Sequence, residues 1–334
     1  PQRSRAGVDD RTKEEKARFK RALNGINAWY GHPMTYVLLV NTPLPTGHAY
    51  TNTQPYEGRG WCVAESLMSG MVKSSNALID ASRLTGEETS LMGREGIVSK
   101  TRLSASRTPP MAPDAFLTML RSGVETGRIK FTAKGDVEVV GRIYDRAFTE
   151  EMAVVTRLSY NSLGWGGEQV ESLAAALTYA HAKGALRKVK QLWLQNNKIG
   201  DDGVCALARA FAGGALPSLE VLWLNGNRIG DIGASALADA TAGGALKGVE
   251  QIFLQMEGES EGNKIGDDGM AAFMAAIAGG AMPKLSKPWG LKLKVKPVDD
   301  APVVEEGKLS LSTYFSPIES ALLTRKSEMD LQKL

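Results

Sequence analysis

Two groups of residues in this 334-residue chain have types and spacing suited to chemistry or recognition. The first is Tyr56-Glu-Gly-Arg-Gly-Trp61-Cys62-Val-Ala-Glu65, which brings a thiol and a carboxyl to the start of an expected helix. A glutamate one turn into a helix is already explained by its favourable interaction with the helix N-terminus. Cys62 has no neighbouring cysteine and no histidine at the spacing of a reactive pair, so it reads as a small buried hydrophobe. His32 and His48 likewise have no partner visible in the sequence. The second group suits recognition rather than bond-making: Gln191, Trp193 and Gln195; Val221, Trp223 and Asn225; Gln251, Phe253 and Gln255. Aspartates at 201, 202, 231, 267 and 268 recur beside it, but no histidine joins them and a metal reading is poor. No G-x-x-x-x-G-K-[ST] motif is present to cradle a phosphate.

The elements that position the second group come from a repeat. The segments beginning at Val189, Leu219 and Val249 are copies of one pattern, offset by 30 residues each. The third copy is interrupted by a polar insert at 256–262 before Asn263-Lys-Ile265 resumes it. Each copy continues into an alanine-rich helix and closes on Gly-Gly-Ala, and a degenerate fourth copy precedes them, with Val155, Leu158 and Tyr160 in its strand. This accounts for part of the high glycine content, 36 residues in all. The paired glycines at 213–214, 243–244 and 279–280 stop helices where a left-handed residue is needed. Asp201 or Asp202, Asp231, and Asp267 or Asp268 are expected as helix N-caps.

The pattern L-x-x-L-x-L-x-x-N-x-I, met three times in succession, resembles the leucine-rich repeat family, in particular its ribonuclease-inhibitor-like class, over 155–285. The resemblance implies an α/β fold: a short right-handed solenoid of parallel strands with outer helices. Asn197, Asn227 and Asn263 are expected to turn inward after each strand and satisfy backbone groups of the curved loop. Residues alternating with the inward leucines then line the concave surface, where Trp193, Trp223 and Phe253 form a ladder of rings about 5 Å apart. Two readings of this uncharged strip stand at this point. Either the rings pack on one another or beneath a terminal extension, or they form the centre of a protein-binding surface.

The first half reads differently. An amphipathic helix is expected from Lys13 to Tyr30, a short buried strand at Tyr36–Val40, and a second helix from about Trp61 to Arg83 with Leu67, Met68, Met71 and Val72 inward. The Trp61-Cys62-x-x-Glu65 sequence after that strand resembles the signature of Toll/interleukin receptor domains over 36–72. In the enzymatic branch of that family the glutamate works on the nicotinamide ribose of NAD, so the resemblance would place catalysis on Glu65.

The expected organisation is an N-terminal α/β domain (1–84), an exposed linker or long loop (85–113), a helical cap (114–150) with Asp114 and Asp136 as caps, the repeats (151–285), and a C-terminal strand, linker and helix (286–334). Leu291–Lys296 alternates strictly and is expected to finish the sheet, and Ser316-Pro-Ile-Glu319 opens the last helix. With 40 basic and 37 acidic residues, the net charge of +3 gives no electrostatic case for nucleic acid. No apolar run is long enough to span a membrane. Two distant cysteines favour a reducing, intracellular compartment with the cytoplasm expected, while a start at Pro1 leaves room for an organelle import peptide. The expected function is a non-enzymatic scaffold or linker subunit that binds a protein partner or a larger assembly through the concave face and terminal arms, with no cofactor and no metal. The alternative is an NAD-cleaving enzyme with the repeats as sensor.

Overall fold

The computed structural model describes residues 12–289, apart from 33, 45, 48, 51–52, 89, 91–95, 102–106, 134 and 255–261. From the N-terminus run α1 (Lys13–Asn24), α2 (Ile26–Gly31), β1 (Val37–Leu39), α3 (Gly60–Gly70), β2 (Leu78–Asp80), α4 (Ile97–Thr101), α5 (Pro113–Glu125) and α6 (Asp136–Val154). Strands and helices then alternate: β3 (Arg157–Ser159), α7 (Gly167–Ala182), β4 (Gln191–Trp193), α8 (Asp201–Ala212), β5 (Val221–Trp223), α9 (Asp231–Ala242), β6 (Gln251–Phe253), α10 (Asp267–Ala278) and β7 (Lys287–Trp289).

Strands β3 to β7 form one parallel sheet in sequence order. The middle residues Leu158, Leu192, Leu222 and Ile252 stand in register, and all are fully buried. Each short strand therefore buries one side chain and turns its two neighbours to the other face. The alanine-rich helices cover the buried face and pack in series, α7 on α8, α8 on α9 and α9 on α10. Gly214, Gly244 and Gly280 end the last three of these helices at φ +91°, +89° and +85°, a conformation in which a Cβ is costly. The fifth strand is Lys287–Trp289, with Pro288 at the sheet edge, where proline is tolerated. The expected strand at 291–296 and the helix after Ser316 lie outside the described residues.

The expected N-caps need correction. Gly200, Gly230 and Gly266 hold the cap positions, and the aspartates are the first helical residues. Asp201 Oδ1 instead accepts hydrogen bonds from the Gly230 and Gly233 N–H groups of the next repeat, at 2.7 and 2.9 Å. Asp231 Oδ1 accepts likewise from Gly266 and Gly269, at 2.6 and 3.0 Å. The carboxylates thus cap in series, each serving the helix after its own. A methyl on Gly233 would stand 2.7 Å from Asp201 Oδ1, so the bare backbone is what admits the carboxylate. Asp231→Ala should therefore loosen α10 rather than α9, costing about 1 kcal/mol of unfolding free energy. Amide exchange that quickens first in α9 would contradict this.

Five expectations in the first half are also corrected. The helix read from Lys13 to Tyr30 is broken at Gly25 into α1 and α2. The strand read as buried spans only Val37–Leu39 and leaves Leu38 exposed. The helix starting near Trp61 ends at Gly70 rather than near Arg83. Leu78 and Ile79 leave helical geometry because they pair, in parallel, with Leu38 and its neighbours in β1, with α3 as the crossover. The inward face remains as read, with Leu67, Met68, Met71 and Val72 all buried. The segment read as an exposed linker ends inside the molecule: Arg107 is 3% exposed, and Pro109, Pro110 and Ala112 are buried. The caps of α5 and α6 are Ala112 and Gly135, while Asp136, inside the first turn of α6, accepts the indole N–H of Trp61 at 2.9 Å. The hydrophobic core runs without a break from Ala64 in α3, through Phe116 and Tyr144 of the α5–α6 pair, to Leu285.

Lys73, fully buried after α3, donates to the His32 carbonyl and to Thr35 Oγ1, tying α2 and β1 to the body of the protein. Burial pulls its ammonium down to about 8, and Glu151 opposes this. Between that value and the ordinary 10.5, the unfolded chain keeps a proton that the folded chain has released, so rising pH favours folding across this window. Against Lys73→Met, the wild-type chain should gain relative unfolding free energy from about pH 8 to pH 10.5 and show no such slope below pH 7. Urea unfolding at stepped pH reads this directly, and a flat difference across the window would refute it.

Candidate functional site

The face of the five-stranded sheet away from the helices is built from two columns. Register places Arg157, Gln191, Val221 and Gln251 in one, and Ser159, Trp193, Trp223 and Phe253 in the other. Gln191, Trp193, Val221, Trp223, Gln251 and Phe253 are all partly exposed. Ring centroids lie 5.8 Å apart for Trp193 and Trp223, and 4.2 Å apart for Trp223 and Phe253. The spacing follows from the sheet: strands about 4.8 Å apart hold identical positions at stacking distance. Beyond the strands Gln195 is partly exposed and Asn225 is buried, while Gln255 lies outside the described residues.

Two polar atoms on this face, Trp193 Nε1 and Gln195 Oε1, are buried without a hydrogen-bond partner. Such atoms are rare in folded proteins, because each forgoes its bonds to water. The strip is also not free of charge, as the sequence had implied. Arg157, in register with Gln191, lays its guanidinium 4.8 Å over the Trp193 ring. The degenerate first repeat is the source of this arginine, which the three better copies do not show.

Behind the strip, the asparagines tie each repeat to the one before it. Asn197 Oδ1 accepts from the N–H groups of Leu163 and Trp165, and its Nδ2 donates to the carbonyls of Tyr160 and Leu194. Asn227 accepts from Ile199 N–H and donates to the Leu194 and Leu224 carbonyls. Asn263 accepts from Ile229 N–H and donates to the Leu224 and Leu254 carbonyls. Since the carbonyls lie at the strand ends, these bonds fix where each ring column begins.

Glu65 and Cys62 face a separate cavity of about 190 Å³, beside β1 and the start of α3, together with Tyr30, Tyr56, Arg59 and Ser69. Burial raises the Glu65 carboxyl, which interacts with the Tyr30 hydroxyl. Burial also pushes the Cys62 thiol up, and holds the Tyr30 hydroxyl at about 12. Burial thus disfavours the thiolate that a cysteine nucleophile requires. Among the described residues no group of three or more His, Cys, Asp or Glu side chains is placed to hold a metal ion.

Comparison with known proteins bears on the repeats. Residues 185–208 and 215–238 match the model of the leucine-rich repeat, so β4, β5 and most of α8 and α9 lie in two leucine-rich repeat units. No curated protein sequence matches the chain. Among solved structures, one described as Leiomodin-1 Actin-Binding Site 2 (ABS2) aligns over 57% of this chain and 95% of that one, at 15% identity and a TM-score of 0.39.

Proposed function

We propose that this chain is a non-enzymatic interaction protein that captures a protein partner on the open face of its repeat sheet, through Gln191, Trp193, Gln195, Val221, Trp223, Asn225, Gln251, Phe253 and Gln255. The ladder of partly exposed rings carries the reading: three adjoining aromatics flanked by amides have the composition of an interface centre. Arg157 adds a positive charge at the end nearest α6. Full helices of 12 to 16 residues after the strands support membership of the ribonuclease-inhibitor-like class. A scaffold or linker subunit in a reducing intracellular compartment is the setting that suits such a surface, with Cys62 and Cys205 both present as free thiols.

The alternative, NAD cleavage at Glu65 by a Toll/interleukin receptor-like domain, has less behind it. The cavity at Glu65, about 190 Å³, is smaller than the ~300–1,000 Å³ of ordinary small-molecule sites. Affinity capture from native extract tests the choice, with wild-type chain, Trp223→Ala and Ile232→Ala as bait. Ile232 is 70% exposed on α9, on the helical side. Proteins held by the wild type and by Ile232→Ala but lost with Trp223→Ala support the proposal. Retention by all three baits overturns it.

A further inference from the structure

The cavity beside β1 stands apart from the repeat face, and its lining is dipolar. Arg59 immediately precedes α3, and Glu65 lies six residues further along it, a separation of about 9 Å on the helix axis. Both line the same space. The two charges do not pair: among the described residues no carboxylate lies within ion-pair range of Arg59. Its guanidinium rests 5.7 Å over the Tyr56 ring, and its Nε is buried without a hydrogen-bond partner. Glu65, at the other end, has the Tyr30 hydroxyl beside it. Val37, Leu39 and the rings of Tyr30 and Tyr56 wall the space between them.

We propose that this cavity binds a small zwitterion of the size of a short α-amino acid, with Arg59 taking the carboxylate and Glu65 the ammonium group. A lone anion would meet Arg59 but also face Glu65, and a lone cation would meet the reverse conflict. A dipolar molecule matches both ends at once, and forms charge-assisted hydrogen bonds with each. The volume, about 190 Å³, limits the occupant to a few heavy atoms beyond those two groups. An arriving ammonium would also offset the cost that burial places on the Glu65 carboxylate. Neither the repeat face nor its partner enters this inference, so the two stand or fall separately.

Isothermal titration of the full chain with L-alanine, propionate and ethylamine, each up to ~10 mM, provides the test. L-alanine should bind saturably at one site, and propionate and ethylamine should bind at least about tenfold more weakly, each lacking one charged contact. Arg59→Gln and Glu65→Gln should each weaken L-alanine by about tenfold or more. Should a variant fail to unfold cooperatively, the ranking of the three probes on the wild-type chain decides alone. The inference is overturned by the absence of saturable L-alanine binding, by propionate or ethylamine matching it, or by a folded variant that binds it like wild type.

Discussion

Replacing Asn227 with leucine is expected to destabilise the chain by about 3–5 kcal/mol, read as a fall in the urea midpoint at unchanged slope. The side chain is 1% exposed and sits at the junction of two repeats. Its Oδ1 accepts from Ile199 N–H at 3.1 Å, and its Nδ2 donates to Leu194 at 3.0 Å and Leu224 at 2.8 Å. Leucine has nearly the same shape, so packing changes little and the loss is polar. The buried Ile199 N–H is left unsatisfied, at about 1–3 kcal/mol, while the two carbonyls keep their bonds from Asn197 and Asn263 and each lose one hydrogen bond worth about 0.5–1.5 kcal/mol. Since Leu194 and Leu224 belong to consecutive repeats, the damage spreads to both, and a repeat array depends on its nearest-neighbour contacts. Arg228→Ala, at the adjoining exposed position, is the control and should shift stability by under ~0.5 kcal/mol. A loss below ~1 kcal/mol for Asn227→Leu would mean that water reaches the junction and satisfies these groups instead.

The second large effect is on binding. Trp193→Ala combined with Trp223→Ala should weaken the partner captured by the wild-type chain by at least about 100-fold, measured by titration calorimetry. Central tryptophans at interfaces commonly carry 2 kcal/mol or more each, though such losses do not add simply. Folding should suffer far less. Both rings stay partly exposed, and what they lose is their tilted contact at 5.8 Å, the stacking of Trp223 on Phe253 at 4.2 Å and the Arg157 guanidinium over Trp193, each ring pair worth about 0.5–1.5 kcal/mol. Arg157→Gln should have a smaller effect, since the guanidinium is exposed and screened by solvent. Binding and stability thus separate along one face: asparagines behind the sheet govern the fold, and rings in front of it govern recognition.

The 30-residue period made the repeat legible because each unit is a local event: a buried leucine, an asparagine at its turn, a paired glycine at its helix end. Features that depend on distant partners were not legible in the same way. Asp231 has the residue type and position of an N-cap, and only three dimensions show it bonded to Gly266 and Gly269, 35 and 38 residues away. Arg107 lies in a stretch whose Ser, Thr and Pro content reads as loop. Buried, its guanidinium donates to the carbonyls of Gly70 and Ser159 and to Ser75 Oγ, and it stands 4.8 Å over the Tyr160 ring, fastening the first half to the first repeat. A single buried arginine leaves no periodic trace. Leu78-Ile79 read as helix because its apolar residues continued the preceding face, whereas pairing with β1 decided its geometry. Arg157 escaped notice for a related reason: it belongs to the copy that fits the consensus least, and its place over Trp193 follows only from strand register.

The central claim is that a protein partner covers the ring ladder, and hydroxyl-radical footprinting of the full chain with and without the captured partner measures that side chain by side chain. Oxidation of Trp193, Trp223 and Phe253 should fall together when the partner is added, while Ile232, on the helical side, stays as reactive as before. Unchanged oxidation of all three rings, with protection confined to other surfaces, would contradict the account.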